Sequence, residues 1–443
     1  MDAKADHVVH AIEERLRRCV LRLPLVPLVL AASLGLSLSA ARAEDAAKVW
    51  QAPPGWASTH GGQGGRVISV ETLAAEGPGS LGAALAEDGP RTVVFKVGGV
   101  IDLNFDRYRI ESPRVTIAGE TAPSPGITIT RGGINVATHD VILRHVRVRP
   151  GTEGRAIKSG WEIDSFSTLG GAYDVIVDHC SLSWGTDENL SASGPRFEGE
   201  TPSEWRKNTS HRITFSQCIV AEGLRNAAHG KGPHSMGTLV HDNTNDILIY
   251  GNLYISNNGR NPLFKGGARG AVINNFIHNP GGAALSYCLV PEEWGKHEWQ
   301  RGVLSVIGNV MTAGRDTGRS PSFALYVGSG PCDAYFADNL LMNSAGETVP
   351  ASIRFREKWG GPATEQDTLK ALRKLDAPPF VPPGLHVRPA AEVERWVLEN
   401  AGARPWDRDA VDQRLVEQAR TNKGKIIDSE AEVGGRDALA EKK

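Results

Sequence analysis

The sequence predicts a right-handed parallel β-helix, an all-β fold with an N-terminal cap and a partly helical C-terminal extension. Three observations lead there. Seven short segments alternate apolar and polar residues with period two: VILRHVRV (141–148), VIVDHCSL (175–182), RITFSQCIV (212–220), ILIYGNLYI (247–255), AVINNFIHN (271–279), SVIGNVM (305–311) and YFADNLLM (335–342). Each carries a distinctive residue at one shared register (Val146, Cys180, Cys218, Asn252, Asn275, Asn309, Asn339), while the intervals vary from roughly 23 to 38 residues. A fixed strand with variable loops is what stacked turns of a coiled sheet require, and asparagine repeated at one position builds a ladder of side-chain amides. Composition agrees: 50 glycines and only 6% aromatics suit slim rungs and many turns. A β-sandwich is the competing arrangement, but two-residue hairpin turns between these segments are scarce and the intervals are too long for a meander.

The elements follow in chain order. Arg15, Arg17 and Arg18 precede an apolar run over 23–38 and then Ala41-Arg42-Ala43, which predicts an export signal over residues 1–43. Pro24 and Pro27 argue against a stable membrane anchor. Export permits disulfides, and Cys288 and Cys332 are candidates for one. Cys180 and Cys218 fall on consecutive rungs and read as an apolar stack, with a vertical disulfide as the alternative.

The β-helix domain is expected over 44–343. At its start, β-rich pieces at 67–70 and 92–97 bracket an amphipathic helix near 80–87, placed to cover the open sheet end. Past Asn343 the repeat fades. Helices are expected at 364–375 and 390–401, then a last helix and a short strand within RDAVDQRLVEQARTNKGKIID. This extension, 344–443, is expected to lie along the β-helix flank.

Lys and Arg number 49 against 51 Asp and Glu, so no nucleic-acid or anionic-membrane partner is indicated. The chemistry concentrates in three stretches. VIVDHCSLSWGTDENLS (175–191) runs a strand into a turn bearing Asp187 and Glu188; alone it reads first as a solvated acidic turn. NNGRNPLFKGG (257–267) sets Arg260 and Lys265 around Pro262, which by itself is a loop with surface cations. HGKGPHSMGTLV (229–240) places Lys231 and His234 before an apolar segment.

Taken together, DHCSLSWGTDENLS, the Arg260-x-Pro262-x-x-Lys265 pattern and VTIAGETAPSPGITIT (115–130) resemble the pectate lyase family of secreted polysaccharide lyases, in its bacterial subgroup. The resemblance implies calcium-assisted β-elimination on a polygalacturonate-like uronan, by an exported monomer. It implies Arg260 as the base at C5 of the uronate and Lys265 as a ligand of its carboxylate, although lysine lacks the family arginine's bidentate fork. Asp164, Asp187 and Glu188 are implied as calcium ligands, with Ser191 standing where the family has a further carboxylate. His234 occupies the place of a substrate-binding lysine, with Lys231 close by; a structural histidine is the other reading. Asp178 and His179 resemble a catalytic dyad but sit on a packed strand, which favours a structural role. Two alternative functions share the fold: a glycoside hydrolase using Asp187 and Glu188, and a carbohydrate-binding β-helix without activity. The first needs paired carboxylates flanking one bond, and neighbours along a strand point to opposite faces.

Overall fold

The computed structural model describes residues 50–327, 330–357 and 371–439. The expected export signal therefore lies outside the described residues. Among those described, strands stack into three sheets of 11, 10 and 9 members. Neighbouring strands pair in parallel, apart from Leu340–Met342 with Thr348–Val349. The chain visits the sheets in turn, so each circuit adds one rung to a right-handed parallel β-helix. Inward residues stack in register: Leu143, Val177, Phe215, Ile249, Val272 and Val306 form one column of the 11-stranded sheet, all buried. β-branched and aromatic side chains suit such pleated, half-enclosed surfaces.

The asparagine ladder forms as expected. Asn252 Nδ2 donates to Asn275 Oδ1, Asn275 Nδ2 to Asn309 Oδ1, and Asn309 Nδ2 to Asn339 Oδ1, each at 2.9 Å. Each of these amides also donates to a main-chain carbonyl of the preceding rung, those of Phe215, Ile249 and Val272. Such closure matters because a buried amide left unpaired is costly. Cys180 and Cys218 continue the column as free buried thiols.

The repeated segments are not single strands, however. One residue before each ladder position the chain turns through the left-handed region: His145, His179, Gln217, Gly251, Asn274, Gly308 and Asp338 have φ between 48° and 68°. There the 11-stranded sheet ends and the 10-stranded sheet begins, as in His139–Arg144 followed by Val146–Arg149. Glycine, asparagine, aspartate and histidine tolerate this conformation better than the branched residues beside them. Period-two alternation holds on each side of the bend and slips by one residue across it, from Leu143 to Val146 and from Val177 to Cys180, a slip short enough that the sequence alone read one strand.

At the N-terminal end, helix Leu81–Ala86 lies between strands Arg66–Val70 and Arg91–Phe95, with Ser80 accepting from Ala83 N as its cap. Buried Arg91 ties the helix down by donating to the carbonyls of Ala84 and Leu85. At the other end the sheets continue past Asn343 through Ile353–Arg356 and Leu372–Lys374. Most of the helix expected at 364–375 lies outside the described residues, and its last part is the second of those strands, paired with Cys332–Ala337. The expected strand in KIID is absent; that segment is irregular. Cys288 and Cys332 are both free, which corrects the disulfide candidate.

Helices Ala390–Asn400 and Ala410–Arg420 cover the outer face of the 10-stranded sheet. Val393, Val397, Val411 and Leu415 pack there against Ile219, Leu253, Phe276 and Val310. Beside this apolar contact is a buried ion cluster. Arg147 and Arg149, with fully buried side chains, project from the sheet to Asp412 at 3.2 and 2.7 Å. Arg149 also meets Asp409 at 2.5 Å, and Ser181 Oγ donates to Asp412 Oδ2 at 2.7 Å.

Candidate active site

The 9-stranded sheet carries the charged stretches. Its outward side chains form the floor of a groove of about 880 Å³. Register explains the floor: Ser191, Leu239, Leu263, Ser286, Leu325 and Arg354 share one column, and Lys265, Cys288, Val327 and Arg356 the next. Arg196, Lys231, Arg260, Lys265, Arg354 and Arg356 line it against three carboxylates, Asp187, Glu188 and Glu293. A near-neutral protein thus concentrates positive charge where a polyanion would lie.

The acidic turn is built by its backbone. Thr186 N and Asp187 N both donate to Ile163 O, at 3.1 and 3.2 Å. Glu188 N donates to Asp164 Oδ1 at 3.0 Å, which joins the two acidic segments. The strand begins only at Glu188, with Asp187 in the preceding turn. Both carboxylates therefore face the groove, contrary to the expectation of opposite faces.

Oxygens of Asp164, Asp187 and Glu188 lie within 4.8 Å of one another. Burial, and then the charge of Asp187, push the Asp164 carboxyl well above the ordinary carboxylate range. Asp187 goes the other way: burial opposes its charge, but the hydrogen bond and charge of His234 outweigh that and hold its pKa down. Three converging carboxylates whose mutual repulsion already shows in one of them fit a hard divalent cation.

Arg260 comes from the loop between Leu253–Ile255 and Leu263–Lys265. Its own backbone is left-handed (φ 56°), and its carbonyl accepts from Thr238 N at 2.6 Å. A Cβ on Gly237 would stand 2.5 Å from that carbonyl, so only glycine permits this approach. The side chain forms an ion pair with buried Glu188. Burial lowers the guanidinium pKa, while Asp187 and Asp164 act to raise it. A chain of buried amides links the two segments: Asn189 Nδ2 donates to Asn257 Oδ1 at 3.1 Å, and Asn257 Nδ2 to Asn261 Oδ1 at 3.2 Å. Sequence reasoning missed this second asparagine chain, although Asn257 and Asn261 flank Arg260 in the quoted stretch.

Lys265 is not a free cation. It pairs with Glu293 and lies 3.4 Å from Asp242, and Arg196 binds both same carboxylates at 2.8 and 3.0 Å. His234 Nε2 meets Asp187 Oδ1 at 2.9 Å, while Lys231 is exposed on the groove wall. His229, which sequence reasoning did not single out, stacks on His234 with ring centroids 3.7 Å apart. Asp178 and His179 lie elsewhere, at a bend between the other two sheets. Burial acts to raise the Asp178 pKa, but His179 and the Ser216 hydroxyl hold it at about 2.

Fold and groove together define a parallel β-helix protein with a basic groove that sets one arginine against converging carboxylates. Curated relatives carry the description "Probable pectate lyase C". That of Emericella nidulans is 31% identical over 387 residues, covering 86% of this chain and 77% of the relative. That of Aspergillus flavus is 32% identical over 383 residues, covering 86% and 79%. Among solved structures, "Pectate lyase bound to hexasaccharide" shares the fold at a TM-score of 0.52 and 15% identity, covering 80% of this chain and 98% of that one. No protein-family model matches the chain. The chain belongs to the pectate lyase family. The bacterial subgroup is not supported, since these curated relatives are fungal.

Proposed function

We propose that this protein is a polysaccharide lyase that cleaves polygalacturonate-like uronans by β-elimination in the groove of the 9-stranded sheet. The observation that carries this reading is the meeting of Arg260 with Asp164, Asp187 and Glu188, from three separate segments, at one basic groove. In the reaction the C5–H bond breaks, a C4–C5 double bond forms, the C4–O bond to the leaving sugar breaks, and the leaving oxygen takes a proton from water. Arg260 is the residue that takes the C5 proton. Its pKa starts far above neutrality, and burial moves it in the needed direction. Lys265, His234 and Lys231 hold sugar carboxylates.

Calcium, the cofactor proposed for Asp164, Asp187 and Glu188, would act as a Lewis acid for the charge that develops on the uronate carboxylate. Glu188 belongs both to this carboxylate set and to the Arg260 ion pair, so a cation held there would compete with the guanidinium for the same carboxylate. The expected export signal supports action outside the cell. No helix among the described residues is long and apolar enough to cross a membrane.

The test is incubation of purified protein with polygalacturonate, with and without calcium, following the ultraviolet absorbance of the 4,5-unsaturated product. Calcium-dependent absorbance is expected. Saturated reducing ends without absorbance would indicate a hydrolase, and binding without products a non-catalytic module. Asp164→Ala is expected to raise the calcium concentration that gives half-maximal rate. An unchanged calcium dependence would remove Asp164 from the site.

A further inference from the structure

We propose that Arg354 and Arg356 form a distal carboxylate-binding station of the groove, and that the neutral floor between them and Lys265 fits the protein to partly methyl-esterified polygalacturonate. Polygalacturonate as the substrate class rests on the lyase reading; the groove adds a preference for chain length and esterification. Strand Ile353–Arg356 is the terminal member of the 9-stranded sheet. It pairs in parallel with Ser322–Val327, which sets Arg354 beside Leu325 and Arg356 beside Val327. Ile353 and Phe355 pack against the core, so the two arginines alternate outward, exposed, onto the groove.

Their charge is unspent, unlike that of the cations nearer the acidic turn. Arg260 is paired with Glu188, and Lys265 and Arg196 share Glu293 and Asp242. Among the described residues, no ion pair joins Arg354 or Arg356 to a carboxylate. Lys231 likewise has none, but it precedes strand Met236–Val240, four rungs from the arginines. An unbalanced pair of guanidinium groups at the end of a groove attracts a polyanion where a balanced lysine does not.

Register fixes the separation. Lys265, Cys288, Val327 and Arg356 are partners on successive rungs. Three steps of about 4.8 Å put Arg356 about 14 Å from Lys265 along the groove. A 1,4-linked pyranose chain advances by close to one rung per sugar, so a carboxylate at Arg356 belongs to roughly the third sugar beyond the one at Lys265. The side chains that line the groove from the two intervening strands include Ser286, Cys288, Leu325 and Val327, none of them charged. Burial pushes the Cys288 thiol up to about 11, so it stays neutral. A carboxylate over this floor finds no ion pair and loses part of its water. A methyl ester there has no charge to desolvate and brings a methyl group to Leu325 and Val327.

The test is calorimetric binding of oligogalacturonates to calcium-saturated protein carrying Arg260→Lys to slow cleavage, with and without Arg354→Gln and Arg356→Gln together. Trigalacturonate spans too few rungs to join Lys265 to Arg356 and is expected to bind both proteins alike. Hexagalacturonate is expected to bind the Gln variant about 5- to 10-fold more weakly, the scale of two exposed charge pairs. Lysine at both positions is expected to restore most of that affinity. Hexagalacturonate methyl-esterified on two adjacent interior sugars is expected to bind the parent as tightly as the unesterified chain. Thermal melts check that the variants fold. An equal loss for both lengths, or clear weakening by the two esters, overturns the proposal. No loss at either length also overturns it, and leaves the arginines as guards of an exposed sheet edge. Binding is read without turnover, so it separates this proposal from the lyase reading, which the absorbance assay decides.

Discussion

Arg260→Lys is expected to lower turnover on polygalacturonate by at least about 10²-fold, the scale on which acid–base groups act. The substitution keeps a positive charge but loses the planar fork and the reach by which Arg260 meets Glu188 across the groove. Substrate affinity should change much less, because Lys265, Lys231 and His234 keep their places along the groove wall. Steady-state rates at several polygalacturonate concentrations separate the two effects. A variant with wild-type turnover and weakened affinity would reduce Arg260 to a binding cation.

The second large effect concerns stability. Asp412→Ala is expected to destabilise the protein by about 3–5 kcal/mol, measured by denaturant unfolding, because it leaves buried charge without its partner. Asp412 pairs with both Arg147 and Arg149 and accepts from Ser181, and none of these side chains reaches solvent. Asp409 still meets Arg149 at 2.5 Å but stands 3.4 Å from Arg147 Nε, a weaker substitute. A loss below about 0.5 kcal/mol, the range of ordinary surface substitutions, would show that the apolar contact of Val393, Val397 and Leu415 holds the extension alone.

Much of the fold was legible because its rules are local and repeated. One asparagine can be a cap, a turn or a glycosylation site; four at one register of an alternating strand have few structural uses besides a ladder. The bends left a local mark, a step of three instead of two between core residues such as Leu143 and Val146 or Val177 and Cys180, but a one-residue slip inside an otherwise alternating segment reads as a single strand. The KIID strand failed for the opposite reason: it has strand composition but no sheet edge to join.

At the site, family resemblance singled out Arg260, Asp164, Asp187 and Glu188, and the fold gathers them. It could not foresee that Lys265 and Arg196 share Glu293 and Asp242, or that His229 stands over His234. The lysine's contacts join residues from different rungs, and the histidine pair depends on how one irregular loop folds back on itself.

The sequence by itself determined the rung: alternating strand residues, the ladder position, and the order in which charged turns follow one another. Tertiary structure decided which turns meet, that Asp187 and Glu188 share one face, and that a nearly neutral chain carries a basic groove. The reason is that hydrogen-bond register acts between adjacent rungs and is written in short periodic segments. Electrostatic environment depends instead on charges brought together from segments scores of residues apart, and spacing along the chain does not measure that distance.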